Sequence, residues 1–341
     1  MKLKPTIGIA LAMMLVVVLA GLWVWFHGAA SSQVETARAI SPKLVSPNVA
    51  ASQAIPFHTV KLVTVTAKSS TAQSIKSGAS VKDESAVQVI VDTSVGYQER
   101  LNAISSLSGH LTENDWKVLQ QFLLKPDEMD KGQLGQVIKN ELLDTLCALN
   151  PPPTDLGDVL TQMYRDQQQN EVVRDYAVQH LTPYYEQMAA QPDNAKTTQS
   201  LQDILWEAVN ETSDSIGGTA LLALNQLSQQ YPGFDQGKIA TTALQMANDN
   251  SASELTHITA YQVCAQMGTA DALPVVLQAA QNGETVSVRM SAIGALGQLG
   301  GSEQIPFLNS VLAGTEERLK PVAQHALETI TTRQTRLALQ K

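Results

Sequence analysis

A nine-residue pattern of apolar and basic positions recurs along most of the chain. It is clearest in Val288-Arg289-Met290-Ser291-Ala292-Ile293-Gly294-Ala295-Leu296, where an aliphatic residue precedes a basic one, Ala stands fifth and Leu stands ninth. The first, fifth and ninth positions step by four, so they form one stripe on an α-helix. A small residue at the fifth position lets a neighbouring helix approach closely. The pattern starts at Glu99, Ile138, Val173, Ile216, Thr256, Val288 and Leu319.

A second amphipathic stretch follows each copy of the pattern. Leu201, Ile204 and Leu205 mark one such stretch. The predicted unit is therefore helix, turn, helix. The last units repeat in detail, because Gln266-Met267-Gly268 and Pro274 return at one constant offset as Gln298-Leu299-Gly300 and Pro306. We expect both glycines to follow a helix end, where a positive φ is favoured.

These repeats resemble the HEAT-repeat family, in its short bacterial variety whose first helix reads V-R-x-x-A-x-x-x-L. The resemblance covers about residues 97–332 and is strongest at Val288 and Leu319. It implies an all-α fold, an α-solenoid of about seven helix-turn-helix units in residues 97–341, and a usual role in presenting a surface to other proteins. A lone helix pair cannot bury its apolar face, so neighbouring units must stack on one core.

The resemblance also implies a structural role for the basic second position of the pattern. In this family the basic residue typically pairs with an acidic residue of the adjacent repeat. Gly217 and His257 depart from the basic type at that position. The basic residues themselves are Arg100, Lys139, Arg174, Arg289 and Lys320.

Residues 7–26 form a run of twenty residues without a charged side chain, preceded by Lys2 and Lys4. A helix of that length spans about 30 Å, the thickness of a bilayer's hydrocarbon core. The sequence therefore predicts a cytoplasmic N-terminus at residues 1–6, a single transmembrane anchor in the inner membrane at 7–26, and a periplasmic remainder. The alternative is a signal peptide cleaved near Gly28-Ala29-Ala30, which would release a secreted protein.

Residues 27–96 are of low complexity and hold too little apolar bulk for a core of their own, which predicts a flexible tether. Two pieces, Thr59–Thr66 and Val87–Val91, are β-prone and partly alternating. They could pair as a hairpin, add a strand to the edge of a partner's sheet, or be apolar spots in a disordered tether.

Charge and motif content exclude several functional classes. The net charge is −9, which makes the chain a poor candidate for nucleic-acid binding. None of its six histidines lies three or four residues from another His or Cys, and the nucleophile-elbow, phosphate-loop and zinc-protease motifs are missing. Cys147 and Cys264 are expected to be buried thiols. We therefore predict no enzyme activity, no catalytic residue, no metal and no cofactor.

Three long loops are predicted on one edge of units two to four, at residues 147–156, 182–199 and 228–237. They contain rigid prolines and four aromatic residues. Aromatic side chains with few torsions are good anchors for a protein partner, although such loops can also simply pack locally. The candidate partner-binding residues are Pro152, Tyr184, Tyr185, Tyr231 and Phe234.

These observations predict a membrane-tethered, extracytoplasmic scaffold for protein–protein interaction. It would bind a protein partner through the loop edge or the concave face of the solenoid. Two alternatives remain open. Some HEAT-like repeat proteins act as bilin lyases or their subunits, so the resemblance permits an enzyme. The chain could also be a structural subunit of an envelope complex.

Overall fold

The computed structural model describes residues 85–107, 111–126 and 133–340. These residues form α-helices and three short 3₁₀ turns, with no β-strand among them. The helices are α1 (Ala86–Val91), α2 (Tyr97–Ser105), α3 (Glu113–Leu124), α4 (Gln133–Ala148), α5 (Leu156–Arg165), α6 (Glu171–Ala189), α7 (Ala195–Ala208), α8 (Ile216–Gln230), α9 (Gln236–Asn248), α10 (Glu254–Met267), α11 (Leu273–Asn282), α12 (Val286–Leu299), α13 (Ile305–Ala313) and α14 (Lys320–Leu339).

The helices alternate between two layers. The even-numbered helices α2 to α14 carry the nine-residue patterns, and each packs against the next even-numbered helix. The odd-numbered helices form the second layer, and most of them pack against the even-numbered helix that follows. Six complete helix pairs therefore stack from α2 to α13, and α14 closes the C-terminal end. This is the all-helical repeat architecture that the sequence predicts.

One hydrophobic core runs along the stack. The stripe residues Val173, Ala177 and Leu181 are fully buried, as are Ala292 and Leu296 of the clearest copy. Buried side chains from Val87 to Ile330 belong to a single cluster within the described part of the chain. The step of four along each first helix therefore places its apolar residues between the two layers. Both cysteines are buried and free, as expected.

Helix α1 lies where the sequence pattern predicts no helix. Its residues Val87 and Ile90, three apart, are buried on one helical face, and α1 packs on α2 and α3. The hairpin, the added strand and the disordered tether that the sequence allows at Val87–Val91 are therefore not found there, because packing of one helical face overrides strand propensity. The first helix of the described residues begins at Ala86, before residue 97, where the sequence predicts that the solenoid starts. The other β-prone piece, Thr59–Thr66, lies outside the described residues.

Helix α6 runs through a segment that the sequence predicts as a loop. The helix continues past Pro183 to Ala189, so only residues 190–194 connect it to α7. The prediction of a loop over residues 182–199 is wrong, because the residues around the proline are held in the core. Leu181, Tyr184 and Met188 are all buried. Their packing offsets the backbone hydrogen bond that a proline removes.

The two repeated glycines differ in conformation. Gly268 ends α10 with a φ of +67°, as predicted. Gly300 ends α12 with a φ of −74° and a ψ of 169°, so the prediction of a positive φ there is wrong. Gly300 is required for a different reason, since a Cβ would lie 2.7 Å from the carbonyl oxygen of Leu296.

No helix in the described ranges is both long enough and apolar enough to cross a membrane. The predicted anchor at residues 7–26 lies outside those ranges, and so does most of the predicted tether.

Candidate functional site

The loops inside the helix pairs emerge on one edge of the stack, because short connections make successive helices antiparallel. The candidate residues lie in three neighbouring loops or in the helix that leads into one of them. We call residues 149–155, 190–194 and 231–235 together the loop edge.

Tyr184 supports the first of these loops from beneath. Its ring is fully buried, and its hydroxyl donates to the carbonyl oxygens of Thr154 at 2.9 Å and Pro153 at 3.3 Å. Burial raises the pKa of Tyr184 to about 12, so the hydroxyl keeps its proton and acts as a donor at neutral pH. Pro152 is buried in the same loop. The prediction that Pro152 and Tyr184 are surface anchors is wrong, because both are used inside the fold.

Tyr185 supports the loop at residues 231–235. Its ring is only 6% exposed and makes an edge contact with Tyr231 at 5.3 Å between centroids. The Phe234 ring lies 5.6 Å from the Tyr185 ring, measured between centroids. Tyr185 is therefore not a surface anchor as predicted, but a buried support for two others.

Tyr231 and Phe234 are the two candidate residues that remain partly exposed. Two side-chain amides hold the loop at residues 231–235. Gln202 donates to the carbonyl of Gly233 in the loop at 3.3 Å, and Gln236 donates to the carbonyl of Ser228 across the loop at 3.2 Å. We call Tyr231 and Phe234 the aromatic pair. It is the part of the predicted site that the structure brings together at the surface.

The aromatic surface continues onto the adjoining helices. Trp206 of α7 is partly exposed, and the Nζ of Lys238 lies 3.7 Å from the centre of its ring. A cation over an indole face is a favourable contact that orders both side chains. Sequence reasoning missed these two residues, because they lie in different helices.

The basic second positions of the pattern cap helices. The Nε of Arg100 donates to the carbonyl of Ile90 at 2.8 Å, and that of Arg174 donates to Tyr164 at 2.7 Å. Each carbonyl belongs to the last turn of the preceding second-layer helix. Cations placed there satisfy carbonyls that have no intrahelical donor and oppose the helix dipole.

The same kind of contact recurs at three further second positions of the pattern. Arg289 reaches the carbonyl of Ala280 at 3.4 Å, and Lys139 reaches that of Lys125 at 2.6 Å. His257 places Nε2 2.8 Å from the carbonyl of Asp249, so this departure from the basic type still serves as a cap. We call this series of contacts the capping ladder.

The expected pairing with an acid of the next repeat is seen at Arg174. Its Nη2 lies 2.6 Å from Oε2 of Glu211, which precedes α8. Lys320 pairs instead with Glu317, three residues before it. The helix-end carbonyls are the contact that recurs, at separations of 8 to 14 residues along the chain, which the nine-residue pattern alone does not predict.

One cluster of potentially reactive side chains lies between α4 and α6. The Nε2 of His180 lies 2.9 Å from Oδ1 of Asp144, and its Nδ1 lies 2.7 Å from the carbonyl of Tyr176. Both ring nitrogens are thus engaged away from Cys147. Burial raises the pKa of the Cys147 thiol to about 12, which keeps it protonated and a poor nucleophile. Nor do the described residues contain a group of three or more side chains placed to hold a metal ion.

Comparison with known families agrees with the repeat architecture. The family model described as HEAT repeats matches residues 240–328, from α9 into α14. Residues 240–328 therefore match HEAT repeats, which confirms the sequence resemblance for that part of the chain. A comparison with curated proteins gives no match.

Two solved structures are similar to the chain at low identity. Human deoxyhypusine hydroxylase in complex with glycerol is 16% identical, with 72% of this chain and 95% of that chain covered and a TM-score of 0.30. An engineered protein is 12% identical, with 73% and 97% covered and a TM-score of 0.37.

Proposed function

We propose that the chain is a non-enzymatic scaffold for protein–protein interaction, held on the periplasmic side of the inner membrane by residues 7–26. HEAT repeats commonly present surfaces to other proteins, which supports a protein partner. The uncharged run behind two lysines supports the anchor. The observation that carries the proposal is the aromatic pair, partly exposed above a buried tyrosine.

Such an arrangement is suited to binding. Tyr231 and Phe234 are held by Tyr185 beneath them and by the amides of Gln202 and Gln236 beside them. A partner that covers the pair therefore loses little conformational entropy of the loop. Aromatic anchors of this kind often contribute ~2 kcal/mol or more each to a protein interface.

The test is photo-crosslinking in native membranes. A photoreactive residue replaces Pro232, which is exposed between the aromatic pair. A second version replaces Glu284, which is exposed in the connection between α11 and α12 at the opposite edge. We expect the first version to join one protein reproducibly and the second to join it weakly or not at all, as mass spectrometry of the joined peptides will show.

Substitution of the aromatic pair tests how much of the crosslinking depends on these two side chains. Tyr231→Ala with Phe234→Ala should reduce crosslinking at position 232 at least tenfold, since the anchors are lost while the core is kept. The matched control is Phe307→Ala, a partly buried phenylalanine of α13 away from the three loops. Undiminished crosslinking in the double variant with an unchanged helical circular dichroism spectrum contradicts this assignment. Recovery of a soluble chain that begins near Ser31 contradicts the anchor.

A further inference from the structure

A depression lies between the C-terminal halves of α4 and α6, and its volume is about 340 Å³. Its apolar lining comes from Cys147, Ala148, Pro183 and Ala190, and the carboxylates of Asp144 and Glu186 lie at its rim beside the Gln187 side chain. We call it the α4–α6 groove.

No lysine or arginine of the described residues pairs with the rim carboxylates, although the His180 imidazole lies 2.9 Å from Asp144. Asp144 is 61% exposed and faces the imidazole of His180. Glu186 accepts from the side-chain amide of Gln226 at 3.4 Å. No Lys or Arg in the described part of the chain forms an ion pair with either, whereas Glu207 and Glu211 each pair with an arginine.

The helix ends add to this negative potential. The C-termini of α4 and α6 both lie at the groove, and neither helix has a basic residue in its last turn. A helix C-terminus carries a partial charge of about −0.5. The contacts of the capping ladder lie at the ends of second-layer helices. They do not reach the ends of the first-layer helices α4 and α6.

Pro183 lies inside α6 and gives the groove part of its apolar surface. The groove thus combines a small apolar lining with two carboxylates and the side-chain amide of Gln187. Its two carboxylates favour a cationic donor and disfavour an anion.

We infer that the α4–α6 groove binds an extended segment of a partner protein that carries a lysine or arginine between small apolar residues. The cation lies between Asp144 and Glu186, and its apolar neighbours lie against Pro183 and Ala190. This inference rests on the proposed function and adds the chemistry of the partner. Charge complementarity selects the occupant, because an acidic segment or a nucleic acid would bring its charges against two carboxylates that no lysine or arginine neutralises.

The experiment uses the full-length chain in detergent micelles and a fluorescent short peptide of alternating lysine and alanine, with anisotropy as the readout. Asp144→Asn with Glu186→Gln should raise the Kd about tenfold, as expected for the loss of two partly exposed charge contacts. The matched control is Asp203→Asn with Glu303→Gln, which removes two exposed carboxylates elsewhere. We expect the Kd of the control to stay within about twofold of the parent.

The Ala148→Lys variant tests whether a loss of peptide binding could result from unfolding. Ala148 is exposed at the end of α4, and a lysine there stands four residues after Asp144. That placement favours the helix, because it pairs i with i+4 and puts a cation at a C-terminus. We expect this variant to lose peptide binding while its thermal midpoint stays equal or rises.

Three results would overturn the inference. Equal affinity of the parent and the Asp144→Asn, Glu186→Gln variant is one. An equal loss in the control pair is another, because binding would then follow net charge. Self-association that Ala148→Lys abolishes, seen by sedimentation, would assign the groove to a second copy. Crosslinking at position 232 probes a different loop, so the proposed function and this inference can fail separately.

Discussion

Two arginine–glutamate pairs of almost equal length differ sharply in burial. Arg174 and Glu211 are 2.6 Å apart, with side chains 6% and 31% exposed. Arg165 and Glu207 are 2.5 Å apart, with side chains 53% and 44% exposed. We predict that Arg174→Met costs far more stability than Arg165→Met, although the distances alone suggest equal effects.

The magnitude follows from what each arginine leaves behind. Loss of Arg174 leaves the carbonyl of Tyr164 without its charged donor, and a hydrogen bond of that kind is worth ~1.5–3 kcal/mol. Breaking a fully buried pair costs ~3–5 kcal/mol, and the partial exposure of Glu211 reduces that figure. We expect a total loss of about 3 kcal/mol. For Arg165, solvent screens the pair, and we expect less than about 1 kcal/mol.

The assay is urea unfolding of both variants and the parent, followed by far-ultraviolet circular dichroism at neutral pH. High salt is a second variable, because it screens the Arg165 pair and has little effect on a buried one. Equal losses in the two variants, or a loss below about 1 kcal/mol for Arg174→Met, would refute the reasoning that burial and helix capping decide the energy.

Two further predictions test local packing and thiol chemistry. Gly217→Ala should destabilise the fold by ~2 kcal/mol or more in the same unfolding assay, because the new Cβ would lie 2.5 Å from the backbone oxygen of Glu211; Gly301→Ala, with no atom within 4 Å, is the control and should be nearly neutral. Burial raises the pKa of Cys147 and of Cys264 to about 12, so both thiols stay protonated at pH 8 and should react with iodoacetamide only after unfolding. Rapid alkylation of the native chain, measured by mass spectrometry, would contradict that expectation.

The repeat architecture is predictable from the chain because its signal is periodic. A step of four occurs seven times, with alanine at its centre in every copy except the one at Ile138, where Leu142 stands, and each copy overlaps a first-layer helix. Local sequence and tertiary packing agree in these segments. Because of that agreement, the spacing of apolar residues is sufficient to predict the repeat class.

The errors lie where packing overrides local preference. On local grounds Pro183 predicts a helix end. Packing of the buried residues on both sides nevertheless keeps α6 continuous through Pro183. Val87 and Ile90 are strand formers that pack as one face of a helix. The prediction of a loop places Tyr184 and Tyr185 at the surface, whereas the helix turns both rings inward.

The α4–α6 groove is not predictable from the sequence. Its acidic rim combines Asp144 of one repeat with Glu186 of the next, and neither residue occupies a position that defines the repeated pattern. The absence of a lysine or arginine partner becomes visible only when the two helix ends are placed side by side. A site formed by two repeats depends on how those repeats are placed against each other. The spacing of residues along the chain does not specify that placement.

Helix α1 is the point at which mechanical force would enter the stack. A pull along the chain before Ser85 reaches this six-residue helix first. Its contacts with the stack include the buried side chains of Val87 and Ile90 and the bond from Arg100, and burial of each apolar side chain is worth ~1.5–3 kcal/mol. This short helix would therefore detach under tension before any complete repeat opens. A chain pulled from that end would lengthen first at α1 while the remaining stack stays folded.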